Sequence, residues 1–102
     1  MADVPHQYRM QAKVWLYQSK AAWHLITLPK PQSEAIRRLY GGMKRGWGSL
    51  PVRVTIGKTS WTTSIFPESK AGAYLLPLKA DIRQAAKIKA GDTVRFRIEI
   101  RV

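Results

Sequence analysis

The sequence predicts an all-β protein: one small barrel of about six strands with two short helices capping it. Three observations carry this. The stretch 93–102 alternates strictly, with Val94, Phe96, Ile98, Ile100 and Val102 on one side and Arg95, Arg97, Glu99 and Arg101 on the other. A two-residue period of that length marks a half-buried antiparallel strand. The stretch 8–17 alternates in the same way. Finally, the series strand, proline, short helix, glycine turn, strand occurs twice. Two such units paired across a pseudo-twofold axis would cover each other's edges and close a barrel with a helix at each end.

The elements follow in order. Residues 1–7 are expected to form a flexible leader, and 8–102 a single barrel domain. In 8–17, Tyr8, Met10, Ala12, Val14 and Leu16 form the apolar row. Ser19, Lys20 and Ala21 connect it to a strand over 23–28, ended by Pro29. A helix opens near Pro31, where a missing N–H does no harm, with Glu34 in its first turn. Ile36, Leu39, Tyr40 and Met43 recur at helical spacing and mark a core-facing stripe, and Gly41-Gly42 supplies a left-handed stop. A loop carrying Trp47 leads to a strand over 50–56, and Gly57-Lys58 turns it into a strand over 60–66. Pro67 ends that strand. A fifth strand spans 73–78, with Pro77 at an edge or a strand exit. The second helix, 81–87, has Ile82, Ala85 and Ala86 inward, and Lys89 to Asp92 turn into the final strand.

Composition narrows the function classes. The chain has 102 residues, 18 Lys and Arg against six acids, and a formal charge of +12. Such a balance attracts polyanions, whether nucleic acid, an anionic membrane surface or a nucleotide-like ligand, and a basic exterior serves solubility equally well. Cysteine is absent, which removes disulfides, thiolate metal sites and a cysteine nucleophile. No apolar run reaches the ~20 residues that span a bilayer. The chain is expected to be cytoplasmic, without a membrane, metal or cofactor.

Two resemblances add to this. Lys79-Ala80-Asp81-Ile82-Arg83, followed by Ile88 to Val94, resembles the swapped-hairpin segment of AbrB- and MazE-type transcription factors. Lys79 stands at that family's proline position and Gln84 where a second arginine is common. Over residues 8–102 the chain is similar to the bacterial and archaeal domain of unknown function numbered nineteen-oh-five. The marks are Gly57, Trp61-Thr62-Thr63-Ser64-Ile65, Pro67, Gly72-x-Tyr74-x-Leu76-Pro77, Lys79-Ala80-x-Ile82-Arg83 and Gly91-Asp92-x-Val94. This resemblance implies a double-split β-barrel, the fold shared with AbrB and MazE, and no activity.

Candidate sites follow from the charge and the hydroxyls. Arg95, Arg97 and Arg101 recur about every 6.5 Å along the last strand, close to phosphate spacing. Arg53, with Arg9 and Lys13, extends the patch if the strands are neighbours. Lys79, Arg83 and Lys87 follow four-residue spacing and share a helix face on which a phosphate or acidic partner could dock. Thr62 and Ser64, beside Trp61, could line a small polar pocket for a ligand. Trp15 and Tyr17, on the polar side of the first strand, could stack on single-stranded bases. His6 and His24 are far apart and the acids are scattered, so no enzyme is expected. The functional expectation is a nucleic-acid-binding or regulatory module with DNA or RNA as partner. The alternative is a small-ligand or protein-interaction scaffold.

Overall fold

Alternation decides which side each strand buries, and six alternating strands with no polar sheet to lie on must wrap around their own apolar rows. The computed structural model describes residues 6–18, 23–43 (backbone alone at Met43) and 48–101. It contains β1 (Gln7–Tyr17), β2 (Trp23–Thr27), α1 (Lys30–Tyr40), β3 (Leu50–Ile56), β4 (Thr59–Glu68), β5 (Ala73–Pro77), α2 (Ala80–Ala86) and β6 (Thr93–Ile100). The strands close a barrel in the order β1-β2-β5-β4-β3-β6, every pairing antiparallel. Val14, Ile26, Leu50, Val54, Leu76 and Ile98 sit at its centre, all but sealed from solvent.

Two strands belong to two sheets each. β1 pairs with β6 over 7–13 and with β2 over 14–17. β4 pairs with β3 over 59–65 and with β5 over 66–68. The barrel is therefore double-split, with a first sheet β1-β6-β3-β4 and a second β1-β2-β5-β4. The two halves of the chain repeat one plan. β2 and β5 are antiparallel neighbours, so the helices that follow them start at opposite ends. Matching hydrogen bonds seat both helix entrances: Leu28 N–H donates to the Tyr74 carbonyl (2.9 Å), and Leu78 N–H donates to the His24 carbonyl (3.0 Å).

Several expectations are corrected. Within the expected leader, Gln7 already opens β1 and His6 is tied to the barrel, while residues 1–5 lie outside the described residues. Gln7 pairs with Glu99, Ile100 N–H donates to the His6 carbonyl, and His6 Nδ1 lies 2.6 Å from the Tyr40 hydroxyl. α1 starts at Lys30, which moves Glu34 out of its first turn. Leu39 is 59% exposed, because the inward stripe is formed by Ser33, Ile36 and Tyr40. Gly41 is right-handed (φ −59°), and a 3-10 turn over Gly41–Met43 continues the helix instead of stopping it. Pro67 does not end β4. That strand has already left β3 there and has only β5 to bond, so a missing donor on its other side is harmless. Pro77 is a strand exit, not an edge, in β5. α2 spans 80–86 with Ala85 exposed, and β6 stops at Ile100. The Ser19-Lys20-Ala21 connection, Trp47, the Met43 side chain and Val102 lie outside the described residues. Between β3 and β4 the turn is two residues, Ile56 pairing with Thr59. Gly57 takes φ +56° there, the left-handed value that a tight hairpin needs at that position.

Beside α1, Tyr8 and Tyr40 approach one another, and burial pushes the Tyr8 hydroxyl up from 10.0 to about 12, with Tyr40 adding to the shift. Burial raises Tyr74 as well, against the opposing pull of the Arg37 cation. A folded-state pKa above the unfolded one means the stabilisation is whole below pH 10 and is lost as the pH rises toward 12. The urea midpoint is expected to fall across that window. Tyr8→Phe is expected to flatten the fall, and an unchanged slope in that variant would show that Tyr8 is not responsible.

Candidate functional site

The outward side of the first sheet is built by three neighbouring strands with β6 in the middle. Arg97 faces Arg9 across β1 and Thr55 across β3. Arg95 faces Gln11 and donates from Nε to its Oε1 at 3.1 Å. Arg53 stands next to Glu99, the one carboxylate on this face among the described residues. Like charges directly opposite each other weaken a sheet, and Arg9 and Arg97 are such a pair. A shallow groove of about 560 Å³ runs between Arg9, Arg95 and Arg97. Arg101 lies past the end of β6, exposed, its N–H bonded to the Pro51 carbonyl.

The second sheet presents a different surface. The outward row of β1 runs Arg9, Gln11, Lys13, Trp15, Tyr17, so the cationic face passes into aromatic side chains along one strand. Tyr17 and Trp23 are each 53% exposed, and Phe66 is exposed on β4. Trp15 is held in place by an Nε1–H bond to Thr27 Oγ1 (2.9 Å) and stands edge-on to Tyr17 at 6.2 Å. Leu25, in register between Trp15 and Pro77, is buried although it points outward. The aromatic shelf therefore has an apolar floor.

The remaining candidates gather elsewhere. Lys79 and Arg83 are not on the arginine face. They meet Thr62 and Ser64 of β4 in a groove of about 740 Å³ that also touches Trp23 and Phe66. Lys79 and Lys87 are the caps of α2, and Arg83 folds back to donate from Nε to the Leu78 carbonyl (3.2 Å). Arg83 shares this groove with Lys79 and a second one, of about 400 Å³, with Lys87. Trp61 is also separated from Thr62 and Ser64. It pairs with Val54 and packs half-buried against the core, while its neighbours face out. His24, Trp23 and Phe66 are the site residues that sequence reasoning missed. For Trp23 and Phe66 the signal was the outward parity of β2 and β4, which acquires meaning once β5 is known to join them; His24 alternates onto the row of Ile26 and carried no such signal.

Among the described residues no three of His, Asp and Glu gather as metal ligands would, and no helix is long and apolar enough to cross a membrane. Against known families, the model described as Domain of unknown function (DUF1905) matches residues 11–98. No curated protein matches the chain.

Proposed function

Because the chain belongs to the DUF1905 family, whose description assigns no activity, we propose from its surface that it binds single-stranded nucleic acid. The observation that carries this is the outward row of β1. Arg9 and Lys13, beside Arg95 and Arg97 of β6, lead without a break to Trp15 and Tyr17. Single-strand binders combine a cationic track for phosphates with aromatic rings on which bases stack. The row from Arg9 to Tyr17 is ~27 Å long at strand rise, room for on the order of four nucleotides. The uncompensated Arg9–Arg97 pair supports the same reading, because it weakens the sheet yet meets phosphates well. The +12 charge would draw any nucleic acid to the surface. The domain is, in this reading, a binding module with no catalysis of its own.

The test is fluorescence anisotropy with labelled oligothymidine and with a duplex, from about 50 to about 200 mM salt. The single strand is expected to bind more tightly. About four neutralised phosphates give a slope of log K against log salt near −3. Absence of binding at the lowest salt, or a slope near zero, would rule the proposal out.

A further inference from the structure

The pseudo-twofold axis places residues numbered fifty apart in matching positions: 28 with 78, 33 with 83, and 24 with 74. At both ends the fourth residue of the helix bonds the carbonyl just before the helix. Ser33 Oγ donates to Leu28 O at 3.3 Å, and Arg83 Nε donates to Leu78 O at 3.2 Å. There the likeness stops. At the α1 end, Ser33 is 2% exposed, its hydroxyl also accepts from Tyr74 N–H (3.1 Å), and Tyr74 is buried. That end keeps a smaller groove of about 340 Å³, lined by Ser33 and Tyr74 and carrying Glu68 beside Arg37.

At the α2 end the equivalent of the serine is an arginine and the equivalent of the tyrosine is a histidine. Arg83 is half-buried, with Nη1 3.4 Å from His24 Nε2. Since guanidinium can only donate, His24 Nε2 accepts, which leaves the ring proton on Nδ1. Nδ1 is buried without a partner among the described residues. The groove at this end is about 740 Å³ against about 340 Å³ at the α1 end, a size typical of small-molecule sites.

We propose that this groove binds a small organic oxyanion, a carboxylate or phosphate carried on a flat apolar body. Arg83 is anchored through Nε and, by one Nη1 hydrogen, to His24, so Nη2 and the second Nη1 hydrogen can grip two oxygens with little ordering left to do. Exposed Lys79 adds charge at the rim, the Thr62 and Ser64 hydroxyls donate from β4, and Trp23 and Phe66 cover the apolar part. Among the described residues no carboxylate lines the groove to compete for the cations. The site stands apart from the arginines of β6 and does not depend on the nucleic-acid reading.

The test is an amide NMR titration of the whole chain with phenyl phosphate, benzoate and inorganic phosphate. Phenyl phosphate or benzoate is expected to shift the amides of His24, Thr62, Ser64 and Arg83, and the tighter of the two identifies the anion. Inorganic phosphate, lacking the flat body, should bind about tenfold more weakly than phenyl phosphate, and R83Q should lose about tenfold in affinity. Phe66→Ala, on an exposed wall, gives the same readout should R83Q fail to fold. Replacing Arg95 and Arg97 together by glutamine leaves these shifts in place, so the two proposals fail separately. Shifts centred on Arg9, Arg95 and Arg97, unchanged affinity in the groove variants, or no shifts at all would overturn the site.

Discussion

Reversing Arg95 and Arg97 together to glutamate is expected to lower affinity for oligothymidine about a hundredfold at 0.1 M salt and to flatten the salt slope. Two phosphate contacts disappear and two repulsions take their place. The same change has the opposite effect on the fold. Arg97 lies directly across from Arg9, so its reversal turns a like-charge pair into an attractive one, a gain of about 0.5 kcal/mol. The Arg95 to Gln11 hydrogen bond is exposed and its loss is small. Weaker binding in a protein that resists urea at least as well cannot be attributed to misfolding. Unchanged affinity, measured by anisotropy beside a urea titration, would remove β6 from the interface.

Ile98→Ala is expected to have the largest effect on stability. Ile98 is 0% exposed and lies between Tyr8 on β1 and Val54 on β3, where the sheet is three strands deep. Its neighbours are fixed by ladders on both sides and cannot collapse into the space. The loss should be about 3 to 4 kcal/mol, near the upper part of the usual range for buried isoleucine. A domain of this size has on the order of 5–15 kcal/mol in total, so the melting temperature should fall by about 20 °C. Leu39→Ala on α1 is the contrast, at under about 0.5 kcal/mol, because Leu39 faces solvent. Urea midpoints at constant m-value would decide both, and a loss at Ile98 below about 1 kcal/mol would mean the barrel relaxes more than its packing suggests.

The inside and outside of β6 were legible because alternation is local: each residue needs only its neighbours in sequence to reveal its side. The pairing of Arg9 with Arg97 was not legible, since it depends on which strand closes against which across the whole chain. The passage of β1 and β4 from one sheet to the other was also hidden. Alternation continues unbroken through the switch, as Lys13 to Trp15 and Ser64 to Phe66 illustrate. Trp61 was grouped with Thr62 and Ser64 by proximity, although the two-residue period itself sets them on opposite faces. Gly41 misled because glycine takes the right-handed conformation as readily as the left. Four-residue spacing suggested that Lys79, Arg83 and Lys87 act together. Arg83 meets each lysine in a separate groove, Lys79 on one side and Lys87 on the other, a division that spacing alone does not reveal.

β6 occupies a gap between β1 and β3. A nascent chain that has been made only as far as residue 92 therefore carries two bare strand edges, both apolar on the inner side and neither able to pair with the other. Closure waits for the segment 93–100 to arrive, and it joins parts of the chain more than eighty positions distant, as Arg95 and Gln11 show. Such long-range joining is slow. Until that segment pairs with both edges, the chain stays open to chaperones and to misassembly with other chains.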